Sequence, residues 1–129
     1  MDGASRGNPG PAGIGIVIFD KDNNKIKDFC KYLGVATNNI AEYQALIYGL
    51  QEVLMLGAQD VSVSTDSELV EHQLNGEYKV RDPQMKLLFE QAVHLLKGFK
   101  SFEIIHIDRS QNKQADKLAN KAINLASLF

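Results

Sequence analysis

From Gly13 to Phe19 the chain reads Gly-Ile-Gly-Ile-Val-Ile-Phe, apolar at both alternating sets of positions. That pattern predicts a strand buried on both faces. The polar cluster Asp20-Lys21-Asp22-Asn23-Asn24 predicts a turn, and Ile26 to Leu33 alternates enough to be the returning strand of a hairpin. The period then changes. Ile40, Tyr43, Leu46, Ile47, Leu50, Val53 and Leu54 fall at three- and four-residue steps, which predicts an amphipathic helix stopped by Gly57. Val61 to Thr65 is a short β-rich run, after which Leu69, Val70 and Leu74 return to helical spacing until Asn75-Gly76. Beyond Asp82-Pro83 a third helix carries Leu87, Leu88, Val93, Leu95 and Leu96 and ends near Gly98. Phe102 to Ile107 is strand-like. A last helix, from about Ser110 to Ala126, carries Ala115, Ala119, Ala122 and Ala126, small residues that permit close packing on a sheet. This order predicts an α/β layer fold, a mixed sheet with helices on its faces. The strand at 60–66 feeds directly into a helix, which puts Asp66 at a strand's C-terminal edge, where sites in open α/β sheets commonly sit.

Composition narrows the picture. A chain of 129 residues fits one domain with a single core. Hydrophobic content of 44% and charged content of 23% suit a soluble globular protein. No apolar run approaches the ~18 residues of a membrane span, and no secretory signal opens the chain. The single Cys30 excludes an internal disulfide and agrees with a reducing compartment, so a cytoplasmic location is expected. The net charge of −2 excludes a global basic field, and any affinity for nucleic acid must come from local groups.

Four acidic residues carry the candidate chemistry. Asp2 opens Asp2-Gly3-Ala4-Ser5-Arg6-Gly7-Asn8-Pro9-Gly10, and Glu42 follows Asn38-Asn39-Ile40-Ala41. Asp66 ends the run Ser64-Thr65, and Asp116 lies in Asn112-Lys113-Gln114-Ala115-Asp116. Carboxylates gathered from separate elements repel one another unless cations lie between them, so a converging set is a candidate site for Mg²⁺ or Mn²⁺. Each acid also has a plain structural reading. Glu42 can close a capping box on Asn39, Asp66 can be a helix N-cap, and Asp116 among Lys113, Lys117 and Lys121 can be an ion-paired surface position.

Together these segments resemble type 1 ribonuclease H. Asp-Gly-Ala-Ser-Arg-Gly-Asn-Pro-Gly, Asn-Asn-Ile-Ala-Glu, Ser-Thr-Asp-Ser and Asn-x-x-Ala-Asp-x-Leu-Ala-Asn are similar to that family's four signature segments, in order and across nearly the whole chain. The resemblance implies a ribonuclease H fold: a five-stranded mixed sheet, its first three strands antiparallel, flanked by helices. It implies that Asp2, Glu42, Asp66 and Asp116 hold two Mg²⁺ ions, with Mn²⁺ as an alternative. The implied activity is hydrolysis of the RNA strand of an RNA–DNA hybrid, leaving 5′-phosphate and 3′-hydroxyl ends.

The chain departs from the family pattern in four places. Only Met1 precedes Asp2, whereas the family's first strand runs several residues before that Asp, so the expectation is a truncated first strand in a single domain over 1–129. The basic protrusion of some bacterial members is missing, with Lys79, Arg81 and Lys86 a thin replacement. The assisting residue before the last helix is Arg109 by strand register and His106 by a plain count, and Arg109 is preferred. Glu68 stands where some relatives have Gln.

Telling RNA from DNA requires hydrogen bonds to 2′-hydroxyls. By the same resemblance Ser5, Arg6, Gly7, Asn8, Thr37, Asn38, Asn39 and Glu68 are the hybrid-contacting positions, Gly7 letting the backbone approach closely. Double-stranded RNA stays open as a further substrate, and a monomer is expected. Two other readings compete. A catalytically weak ribonuclease H-like binding or interaction module fits the short first strand and the net acidity, and four intact carboxylates oppose it. A 3′–5′ exonuclease of the DnaQ type normally shows Asp-x-Glu in its first strand, where this chain has Asp2-Gly3-Ala4.

Overall fold

The computed structural model describes residues 1–128. The elements run β1 (Asp2–Ser5), β2 (Gly10–Phe19), β3 (Lys25–Ala36), α1 (Asn38–Met55), β4 (Asp60–Thr65), α2 (Glu68–Leu74), α3 (Pro83–Leu96), β5 (Ser101–His106), a short 3₁₀ turn (Arg109–Gln111) and α4 (Lys113–Ala126). The first three strands pair antiparallel, with Asp2 opposite Gly15, and β4 pairs parallel with β5, with Asp60 opposite Ser101.

The five strands hydrogen-bond in two sets, β1-β2-β3 and β4-β5. The Met1 amine, which donates to the Ser64 carbonyl at 3.1 Å, links them. The cause is length. β1 has four residues against ten in β2, and Met1, just ahead of it, makes the bond to β4.

Helix α1 starts at Thr37, whose Oγ1 accepts from the Ile40 N–H (3.2 Å). Its inner face carries Tyr43, Leu46, Ile47 and Leu50 against Val63 of β4, Ile104 of β5 and Ala92, Leu96 and Phe99 from the α3 region. Ile14, Ile16 and Ile18 of β2 pack with Ala45 on the same side. Each such side chain contributes about 1.5–3 kcal/mol on burial. The opposite face of β2 lies under α4. A Cβ at Gly15 would sit 2.0 Å from the Ala115 carbonyl oxygen, so glycine there and alanine on the helix let the two backbones nearly touch. Both faces of β2 are therefore covered, as its unbroken apolar run requires.

The last helix begins later than its spacing predicts. Asp108 and Gln111 close a capping box around the 3₁₀ turn, the Asp108 N–H donating to Gln111 Oε1 (3.1 Å), and α4 proper starts at Lys113. Among the described residues, no helix is long and apolar enough to cross a membrane.

Candidate active site

Four elements bring the acids to one end of the sheet. Asp2 is the first residue of β1, Glu42 lies in the second turn of α1, Asp66 follows the last residue of β4, and Asp116 is in the first turn of α4. One carboxylate oxygen from each of Asp2, Glu42 and Asp66 lies within 4.8 Å of the others. Asp2 and Glu42 are buried, at 5% and 3% exposure, while Asp66 is half-buried. Asp116 stands outside that trio but close enough to Asp2 to push its carboxyl up.

Local chemistry fixes this convergence. A Cβ at Gly3 would fall 2.2 Å from the Ala41 carbonyl carbon, so only glycine lets β1 and α1 approach this closely. The Gly3 N–H then donates to Glu42 Oε1 at 3.2 Å. The other oxygen, Glu42 Oε2, is buried and has no hydrogen-bond partner. A buried carboxylate oxygen without a donor is costly and asks for a cation or a proton. Burial pushes the Asp2 carboxyl up to about 7, with Glu42 pulling it back and Asp66 and Asp116 pushing it further. Burial also raises Glu42 well above the usual carboxylate range, assisted by Asp2 and Asp66. Hard oxygen donors, mutual repulsion and an unpaired buried oxygen together fit a divalent cation.

The plain readings of the acids give way to other residues. Thr37, not Asn39, caps α1, and Glu42 bonds across to β1 rather than back to its own helix. Ser67, not Asp66, caps α2, its Oγ accepting from the Val70 N–H at 3.2 Å. The cation beside Asp116 is Arg109, 3.9 Å away and highly exposed, rather than a neighbouring lysine. His106 ends β5 on the surface.

Of the proposed hybrid contacts, Arg6, Gly7, Asn8 and Asn38 are exposed around the β1–β2 turn and the start of α1. Asn8 Oδ1 accepts from the Asn38 N–H (3.0 Å), tying that turn to the helix, and the Asn8 amide protons remain free to donate outward. The Ser5 hydroxyl donates to the Gly7 carbonyl (2.7 Å), and Arg6 reaches the Asn120 Oδ1 of α4 (3.4 Å). Thr37 is committed to its cap, Asn39 is half-buried, and Glu68 is exposed at the start of α2.

Two supporting residues carry no individual signal in the sequence. Gly3 is one. Asn112 is the other: it is buried, its side-chain amide donates to the Met1 carbonyl (2.9 Å), and its own carbonyl accepts from the Asp116 N–H (3.1 Å). It thereby ties the start of β1 to the helix turn that carries Asp116. Its place at the head of the fourth signature segment is the only hint.

Residues 1–122 match the family described as reverse transcriptase-like. Ribonuclease HI of Halobacterium salinarum is 43% identical over 124 residues, which is 96% of this chain and 62% of that protein. The solved RNase H1 from the same archaeon superposes with a TM-score of 0.93, covering 95% of this chain and 93% of that one. The chain belongs to the type 1 ribonuclease H family. LC11-RNase H1, solved in complex with an RNA/DNA hybrid, is 42% identical with a TM-score of 0.92, covering 97% of this chain and 94% of that one. A bifunctional protein of Mycobacterium tuberculosis is 42% identical over 127 residues, 98% of this chain. The chain spans 62% of the archaeal relative's length and 35% of the mycobacterial one's.

Proposed function

We propose that this protein is an endoribonuclease that hydrolyses the RNA strand of RNA–DNA hybrids, using Mg²⁺ or Mn²⁺ held by Asp2, Glu42, Asp66 and Asp116. The observation that carries the reading is the meeting of two buried carboxylates and one half-buried one, with one oxygen, Glu42 Oε2, left without a partner. Four carboxylates match the formal charge of two divalent ions. Bound there, such ions would supply Lewis acidity to an attacking water and to the departing 3′-oxygen, chemistry that would leave 5′-phosphate and 3′-hydroxyl ends.

The chain's own residues supply placement. The Gly3 N–H holds one oxygen of Glu42 and leaves the other without a donor. Asn112 fixes β1 against α4, so Asp2 and Asp116 keep their separation when charge at the site changes. Arg109, exposed on the rim beside Asp116, can meet the scissile phosphate. The exposed turn around Gly7 and Asn8 and the Asn38 end of α1 offer donors and close backbone approach to a minor groove with 2′-hydroxyls on one strand. That a relative at 42% identity was solved with an RNA/DNA hybrid supports this choice of substrate.

The test is a labelled RNA–DNA hybrid, duplex DNA and double-stranded RNA, each incubated with Mg²⁺, Mn²⁺ or chelator. Cleavage confined to RNA paired with DNA, and lost with chelator, is expected. Equal cutting of duplex DNA, or cutting in chelator, overturns the reading.

A further inference from the structure

Asn120 lies one helical turn after Asp116 on the same face of α4, half-buried, and its side chain bonds in two directions. Its amide nitrogen donates to the Asp116 carbonyl (3.0 Å) and to Asp116 Oδ1 (3.4 Å). Its oxygen, Oδ1, accepts from Arg6 Nη2 (3.4 Å), which also reaches the Asn120 carbonyl (3.5 Å). These partners fix which way the amide points. Turned over, it would set its oxygen against a carbonyl and a carboxylate, and its N–H groups against a guanidinium. A cation, an amide dipole and an anion therefore stand in line, each polarising the next.

Tertiary packing creates this line, since Arg6 and Asn120 are 114 positions apart. A Cβ at Gly13 would lie 2.6 Å from the Ala119 carbonyl oxygen, so glycine lets α4 settle on β2 beside the end of β1. The backbone at Arg6 is held as well. Its N–H donates to the Pro11 carbonyl (2.8 Å), and a Cβ at Gly10 would meet its carbonyl oxygen at 2.1 Å. Only the exposed side chain is left to swing, and Asn120 is the group that holds it. Among the described residues, Arg6 Nε and Nη1 make no hydrogen bond, so these donors stay open to a phosphate oxygen. At the other end, the two nitrogen groups that reach the Asp116 carboxylate, from Asn120 and Arg109, share one oxygen, Oδ1. That leaves Oδ2 as the oxygen Asp116 offers to a ligand.

We infer that Asn120 is a positioning residue with two tasks: it orients the Asp116 carboxylate for a divalent ion, and it holds Arg6 ready for a phosphate of the hybrid. The inference rests on the nuclease reading and deepens it. One substitution should disturb metal affinity and substrate affinity together, although the side chain's own atoms are spent on Arg6 and Asp116.

The test reads two quantities. One is the Mn²⁺ concentration giving half of the full rise in Tm, measured without substrate. The other is the pair kcat and KM for a labelled hybrid. Asn120→Ala should raise the Mn²⁺ midpoint by about tenfold or more and KM by about threefold or more. Arg6→Ala should raise KM to the same extent and leave the Mn²⁺ midpoint within about twofold. The double variant should show the Mn²⁺ midpoint of Asn120→Ala and the KM of Arg6→Ala, with no added loss. Asn120→Gln keeps a donor and an acceptor on a longer arm and should fall between the unsubstituted protein and Asn120→Ala. Where Asn120→Ala fails to fold, a raised Mn²⁺ midpoint in Asn120→Gln supports the inference and an unchanged one overturns it. A merely structural Asn120 would lower the metal-free Tm and leave the Mn²⁺ midpoint and KM alone, which overturns the inference. Additive KM losses in the double variant do the same. Either result leaves the nuclease reading standing. An unsubstituted protein with neither Mn²⁺ response nor cleavage overturns that reading, and this inference falls with it.

Discussion

Two clusters in this molecule bring three potential metal ligands within 4.8 Å, Asp2-Glu42-Asp66 and Glu71-His72-Glu77, and they differ in every other respect. The second comes from seven consecutive residues, is partly exposed, and contains its own donor. His72 Nδ1 lies 2.6 Å from Glu77 Oε2 and 3.1 Å from Glu71 Oε2, while the Asn75 amide donates to Glu71 Oε1 (2.8 Å). The loop after α2 folds back on it, with the Glu77 N–H donating to the His72 carbonyl (2.8 Å) and Tyr78 packing on the imidazole. Every acidic group there is answered from within. The first cluster is assembled from residues 64 positions apart, is buried at Asp2 and Glu42, and leaves Glu42 Oε2 unanswered. Closeness of ligands alone therefore does not mark a site. Uncompensated burial does, because a fold maintains such a cost only where something outside the chain offsets it.

The sharpest way to break this contrast is by substitution. Asp66→Asn should lower hybrid cleavage by roughly 100-fold or more, whereas Glu71→Gln or His72→Ala should change it by less than about twofold. Comparable losses at both clusters in a cleavage assay would erase the distinction. Metal binding comes next. Mn²⁺ at a hundredfold excess over its Kd should stabilise the protein by about 2.7 kcal/mol, read as a rise in Tm that Asp66→Asn removes and His72→Ala leaves intact.

Acidity should then separate the clusters without any metal. The Asp2 carboxyl is raised in the folded state, from about 3.8 unfolded to about 7, so the native protein holds a proton that the unfolded chain releases. Stability is therefore greatest on the acid side of that window and falls as pH rises from about 4 to about 7, by on the order of 2–4 kcal/mol for so buried a group. Asp2→Asn should flatten this slope and raise the metal-free Tm near pH 7.5 while abolishing cleavage. A slope unchanged in Asp2→Asn would show that the cost lies elsewhere. The smallest effect belongs to the rim: Arg109→Ala should reduce turnover by about three- to tenfold at most, with Mn²⁺ stabilisation unchanged, since its side chain is 84% exposed and reaches Asp116 only at 3.9 Å.

Much of the architecture is legible in local pattern. The three- and four-residue steps from Ile40 to Leu54 become the buried face of α1, and Gly57 ends it with φ of 83°. Ala115, Ala119 and Ala122 become the contact of α4 with β2. The start of β2 is not legible, because Gly10, Pro11 and Ala12 carry too little apolar side chain to extend the alternation that begins at Gly13. The split of the strands into two ladders is also hidden, since pairing depends on how far β1 reaches and not on its residue types.

The sequence by itself determined which residues turn inward and which local segments carry the four acids, because hydrophobic period and residue chemistry act over a few positions. It also carried the ordered segments that match the ribonuclease H family. Only the tertiary structure decided that Thr37 and Ser67 do the capping, which leaves Glu42 and Asp66 out of the caps and in the acidic cluster. It decided that the Gly3 N–H would hold one oxygen of Glu42 and strand the other, and that Arg109 would stand beside Asp116. These outcomes depend on where backbones cross in space, and a chain fixes its crossings only when its core packs.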